Sequence, residues 1–329
     1  MSAKSSLTAP RVVTVLLLVA LGLVPLLASV FNQPFYVTLF TRIMIFALAA
    51  VGLNLILGYG AMVSFGHAMY MGIGAYAVGM LSFHGIGNGW LHVGVALAAG
   101  AAVALAVGAI CLRTSGMAFI MITLAFAQML FFLAVSLREY GGDDGMQVAS
   151  RSDFGLFKLS EGYTLYYATY VLLLSALYGA WRLIHSRFGM VLRGCKSNER
   201  RMRALGFPTL RYKLAAYVIS ALVCVLAGVL LANLTRFVAP AYMAWTVSGE
   251  LIVMTVLGGL GTLVGPVVGA AALLLLEEGL SSLKLGVPAL DTLINQHWLG
   301  LIGLFIVGVV LVLKQGIYGW LVEREKGNS

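Results

Sequence analysis

Charge is what this sequence lacks most. Asp, Glu, Lys and Arg make up 10% of its 329 residues, against ~25% in ordinary globular domains. The deficit is uneven. No charged residue occurs between Arg42 and Arg113, and further uncharged runs cover 12–41, 114–137, 162–181, 214–235, 251–276 and 292–313. Cysteine is scarce too: Cys111, Cys195 and Cys224 stand apart without ligand-like spacing, which argues against a disulfide framework. No Gly-x-x-x-x-Gly-Lys-Ser/Thr loop is present to cradle nucleotide phosphates. Ser64 follows Val63 and so lacks a nucleophile elbow. Asp143-Asp144-Gly145 lacks the alternating carboxylates and closing Glu of a calcium loop. Neither an enzyme nor a metal protein is written here.

What is present is apolar length. Apolar types reach 61%, mean hydropathy is +0.98, and a membrane-crossing helix needs ~20 such residues. Candidate spans cover 12–30, 35–57, 61–81, 90–111, 115–137, 163–184, 212–232, 243–260, 263–280 and 299–320. The expected fold class is an all-α polytopic membrane protein of roughly 8–10 transmembrane helices. It forms one transmembrane domain over 1–329. The stretches 35–81 and 243–280 are glycine-rich and allow a broken or re-entrant segment. Such backbone survives at membrane depth only under cover of protein or a water-filled cavity.

The net charge of +9 is concentrated. Nine of 21 basic residues lie between Arg182 and Lys213, opposed only by Glu199. An excess of Lys and Arg beside spans marks the cytoplasmic side and meets anionic headgroups of membrane lipid. The interleaved aromatics of a single-strand nucleic-acid surface are absent. Ten spans then leave both termini in the cytoplasm and expose 138–162, 233–242 and 281–298 opposite. Val12–Val30 behind Lys4 and Arg11 reads as a retained first helix. Arg42 and Lys314 sit near span ends and can snorkel. The loop 138–162, with five acidic residues, is long enough to receive a docking partner.

The inner loop, 185–212, contains an amphipathic pattern. On one helix over 192–205, Leu192, Cys195, Met202 and Leu205 share an arc, with Arg193, Lys196, Glu199, Arg200 and Arg203 on another side. Gly206 and Pro208 end it. The apolar face can lie on lipid or enter a groove on a partner. Glycine is abundant, with 39 residues. Gly261, Gly265 and Gly269, four apart, predict a close helix crossing on one face, and Pro266 predicts a bend or a helix first turn. Among polar residues in apolar spans, His67 reads first as a satisfied interhelical histidine and second as a gate. Asn54, Ser64, Gln128 and Glu250 are further pathway or gate candidates. A buried proton relay through Glu250 would instead suggest an ion-coupled secondary transporter.

Three blocks carry a family resemblance: "VGLNLILGYGAMVSFGHAMYMGIGAYA" (51–77), "SNERRMRALGFPTLRYKLAAYVIS" (197–220) and "LGGLGTLVGPVVGA" (257–270). With them the chain resembles the branched-chain amino acid permease subunits of bacterial ATP-driven importers, the M-type members in particular. Ser197 stands where the family usually has an acidic residue, and Cys195-Lys196 where an Ile-Arg-like pair is common. The resemblance implies a multi-pass inner-membrane permease for branched-chain amino acids, with relatives for urea or short amides. It implies a homologous second permease, two cytosolic ATPase subunits and a periplasmic substrate-binding protein, facing the 138–162 loop, as partners. The chain itself would hold no cofactor, ATP and magnesium belonging to the ATPases. The 185–212 segment would be the cytoplasmic coupling loop, with Lys196, Asn198, Glu199, Arg200, Met202, Arg203, Leu205 and Gly206 meeting the ATPase.

Overall fold

A computed structural model describes residues 9–30, 33–155, 159, 163–282, 300–309, 311–312 and 315–320. Ten α-helices account for most of them: α1 (Ala9–Val30), α2 (Pro34–Gly60), α3 (His67–Phe83), α4 (Gly89–Cys111), α5 (Met117–Ser136), α6 (Thr164–Ile184), α7 (Arg187–Ala204), α8 (Thr209–Thr235), α9 (Trp245–Gly258) and α10 (Gly265–Ser282). A further helical stretch is Gly300–Val309. Six helices (α1, α2, α4, α5, α6 and α8) are long and apolar enough to cross a bilayer. The protein is an all-α polytopic membrane protein. Lys314 and the expected outer loop 281–298, from residue 283 onward, lie outside the described residues.

α2 and α8 form the axis. α2 is buried from Ile43 to Gly58 without interruption, and α8 packs against α2, α3 and α4. The outer helices bury only a stripe. On α4 it runs through His92, Ala96, Gly100, Ala104, Val107 and Cys111, and on α5 through Phe119, Thr123, Ala127 and Ala134. This is a helical period of burial within a uniformly apolar segment. Apolar side chains gain little by leaving lipid for a neighbouring helix, so close contact at small residues fixes the crossings. At the α3–α8 crossing a Cβ on Gly228 would overlap the Met71 carbonyl, and one on Gly74 the Val225 carbonyl.

Two apolar stretches are broken. The predicted span 61–81 is helical only from His67, because α2 continues to Gly60, Ala61 takes a left-handed φ of 54°, and 62–66 is irregular. At the other break, α8 ends at Thr235, and β2 (Phe237–Val238) and a 3-10 turn (Pro240–Met243) precede α9. Met243 packs onto Gly72, well inside α3, so this irregular chain enters the bundle and α9 starts within it. α9 has 14 residues, about 21 Å at 1.5 Å per residue.

Three expectations need correction. The loop helix is not continuous: α7 is kinked at Asn198, whose φ of −158° and ψ of 99° are extended. The Asn198 Oδ1 accepts the Arg201 amide at 2.9 Å and so starts a second helical piece. The apolar arc is therefore split, with Leu192 and Cys195 buried and Leu205 66% exposed. Finally, Gly261 is not on a helical face with Gly265 and Gly269. It lies in the 259–264 turn with φ 73°, and Pro266 sits in the first turn of α10.

At the end of the bundle away from α7, the 138–155 chain is pinned. β1 (Met146–Gln147) pairs antiparallel with β2. The Ser152 amide donates to Asn233 Oδ1 at 2.7 Å, and Arg151 Nε to the Asn233 carbonyl at 2.9 Å.

Candidate functional site

Most of the residues singled out above gather at the two breaks and at the α7 elbow. α3 starts inside the bundle, so its first amides need partners that a neighbouring turn cannot supply. Ser64 Oγ accepts the Gly66 amide at 3.2 Å, Thr123 Oγ1 on α5 the Phe65 amide at 3.3 Å, and Ser248 Oγ on α9 the Ala68 amide at 2.9 Å. His67 is wholly buried between Ser64 Oγ and Ser220 Oγ, each 3.0 Å from a ring nitrogen. Ser220 spends its proton on the Gly52 carbonyl at 2.6 Å. Nε2 of His67 must then be the donor to Ser220, with Nδ1 facing Ser64 Oγ. Tyr70 and Tyr217, hydrogen-bonded at 3.1 Å, pack edge-on against the imidazole. This histidine joins the start of α3 to α8 and, through Ser220, to α2. No group of three or more metal-binding side chains occurs among the described residues.

Asn54 on α2 reaches the other break. Its Nδ2 donates to the Thr262 carbonyl at 2.7 Å and its Oδ1 accepts the Gly261 amide at 3.1 Å. Beyond that turn α9 and α10 meet without spare room: a Cβ on Gly269 would overlap the Met254 carbonyl, and one on Gly258 the Gly265 carbonyl. Gly265 is buried in the same contact, where its own Cβ would overlap Thr262 Oγ1. Glu250 differs from these. It is exposed on α9, with Glu277 of α10 and Arg42 of α2 in its electrostatic field. Gln128, half-buried on α5, has no hydrogen-bond partner among the described residues.

In the elbow, Glu199 is the organising side chain. It pairs with Arg203 at 2.6 Å and with Lys213 in the first turns of α8, and accepts from Thr209 Oγ1 at 3.3 Å. Partial burial pushes its carboxyl upward, but the bonds from Lys213 and Arg203 outweigh this and hold it below the usual carboxylate range. Lys196 turns towards α2 and donates to the Gly58 carbonyl at 2.7 Å. Met202 is half-buried against Gly194. Arg200, Arg203, Leu205 and Gly206 are exposed, and Gly206 takes φ 85°. Phe207 and Leu210 join Leu205 as exposed apolar side chains. A cavity of about 250 Å³ lies beside the elbow, lined by Ala61, Met62, Thr114, Lys196, Glu199 and Lys213 among others.

Sequence reasoning missed Ser220, Ser248 and Lys213 as partners. Each is bound to a residue at least fourteen positions away, and nothing in local spacing signals it.

Known proteins point the same way as this layout. Residues 35–313 match the family described as branched-chain amino acid transport system / permease component. The chain is 28% identical over 263 residues to the high-affinity branched-chain amino acid transport system permease protein LivM of Salmonella typhimurium, covering 72% of this chain and 62% of that one. Against Escherichia coli LivM the identity is 27% over 288 residues, covering 78% and 68%. Against Escherichia coli LivH it is 26% over 293 residues, covering 83% and 91%. The chain thus spans under two thirds of the Salmonella relative and just over two thirds of the Escherichia coli LivM. No solved structure matches. With its match over most of its length, the chain belongs to the branched-chain amino acid transport system permease family.

Proposed function

We propose that this chain is a membrane-spanning permease subunit of a binding-protein-dependent, ATP-driven importer, with branched-chain amino acids as its substrates. The observation that carries this reading is the elbow. Its root is fixed, with Leu192 and Cys195 buried and Glu199 tied to Lys213. Its tip presents Leu205, Phe207 and Leu210 exposed beside Arg200, Arg201, Arg203 and Arg211. Exposed apolar side chains on a rigid support, ringed by basic ones, suit a groove on a protein partner. A cytosolic ATPase subunit is that partner in this reading, supplying the ATP and magnesium chemistry. The family membership and the permease names of both M-type and H-type relatives support the rest of the assembly: a second permease, a second ATPase and a periplasmic binding protein.

Placing the elbow in the cytoplasm puts both termini there and the β1–β2 end in the periplasm, in a bacterial inner membrane. Glu250 then belongs to the pathway or to the seam with the second permease. A carboxylate at membrane depth is costly against lipid and is kept where protein or water meets it.

A cysteine in place of Leu205 tests the reading. In the assembled transporter, Leu205→Cys is expected to crosslink to an ATPase subunit, with a yield that changes on nucleotide binding. Labelling of this cysteine only from the periplasmic side would overturn both the topology and the importer.

A further inference from the structure

The elbow meets the membrane-embedded helices at a point its charge pattern does not foreshadow. Lys196 Nζ donates to the Gly58 carbonyl, in the last turn of α2 before Gly60. Carbonyls there lack an intrahelical amide, and the helix dipole favours a cation. One turn earlier on α2, Asn54 holds both Gly261 and Thr262. Gly58 is what admits that turn: a Cβ at this position would overlap Asn54 Oδ1 and come within 2.6 Å of the Gly261 nitrogen. The end of α2 therefore grips the elbow on one side and the 259–264 turn on the other. That turn joins α10 to α9, which carries Glu250. The elbow's other charged anchor, Glu199, leads elsewhere, to α8 through Lys213.

We propose that Lys196 is a positioning residue that carries elbow movement through the end of α2 into the α9–α10 turn. The assignment rests on the importer reading above and specifies the route by which that importer is driven. An ammonium-to-carbonyl bond is directional and charge-assisted. Leu192 also lies against this end of α2, but an apolar contact has no preferred direction, whereas the Lys196 bond does.

The test uses the whole transporter in liposomes, with its ATPases and binding protein, and reads substrate taken up per ATP hydrolysed. Lys196→Met keeps the stem and removes the donor, and is expected to lower that ratio about tenfold, with normal recovery of all subunits. Lys196→Arg, which retains a donor, should restore it. Asn54→Ala should uncouple similarly, and combining it with Lys196→Met should add little, as for two links of one chain. A parental ratio in Lys196→Met would overturn the proposal. So would a loss explained by poor subunit recovery, which marks a structural role alone. If the parental complex itself accumulates nothing on addition of ATP, the importer reading falls, and that result is seen before any variant is compared.

Discussion

Ser248 on α9 caps the amide of Ala68 on α3 at 2.9 Å, across 180 positions of chain. Each of these helices follows an irregular stretch inside the bundle, and α9 here supplies the cap for the start of α3. Ser248→Ala would leave a buried amide without an acceptor, at a cost of about 1–3 kcal/mol. Thermal unfolding in detergent should show it as a clear drop in midpoint. Thr246→Ala, at an exposed position on the same helix, should leave the midpoint nearly unchanged.

Helix crossings at glycine should be intolerant of one methyl group. Gly228→Ala and Gly269→Ala place a Cβ onto the backbone carbonyls of Met71 and Met254, which cannot rotate away as a side chain can. Each is expected to cost about 1–3 kcal/mol by overpacking, or to lower the yield of folded protein. Gly94→Ala on α4 meets open space and serves as the control. Equal behaviour of all three would contradict the packing described.

The elbow should loosen in acid. The Glu199 carboxyl titrates below its ordinary range because Lys213 and Arg203 hold the charged form. A group with a depressed folded-state value adds stability above its unfolded value and loses it as pH falls through the folded one. Hydrogen exchange at Arg201–Ala204 should therefore accelerate on acidification beyond the intrinsic chemical trend. In Glu199→Gln the exchange should be faster at neutral pH and the extra acid response gone.

The sequence located most helices well, for a simple reason. An uncharged run of sufficient length fixes a span, and α4, expected at 90–111, is found at Gly89–Cys111. The breaks were harder. The glycines of the α9–α10 stretch signal a break, but four-residue spacing cannot distinguish a helical face from a turn, so it puts Gly261 on a face. A positive φ reveals the difference only in three dimensions. In the elbow the ambiguity lies at Asn198, whose short side chain can start a helix as readily as sit within one. Helical periodicity puts Leu192 and Leu205 on one face only if the helix is continuous, and the kink at Asn198 separates them. His67 was legible as a polar residue needing partners, but not which partners. Ser220 lies 153 positions away, and its identity as a partner depends on how α8 crosses α3.

The pinning of 138–155 changes what a visitor to that end of the molecule would encounter. Its β1–β2 ladder and the Asn233 clasp hold this polar segment against the end of α8 before anything arrives. Ordering a free loop on contact would subtract conformational entropy from every encounter. Here much of that loss has already been met during folding, so a protein that docked there would meet an ordered surface. The same platform continues through β2 into the chain that leads down to α9, and pressure applied at the rim has a short covalent path to the bundle interior.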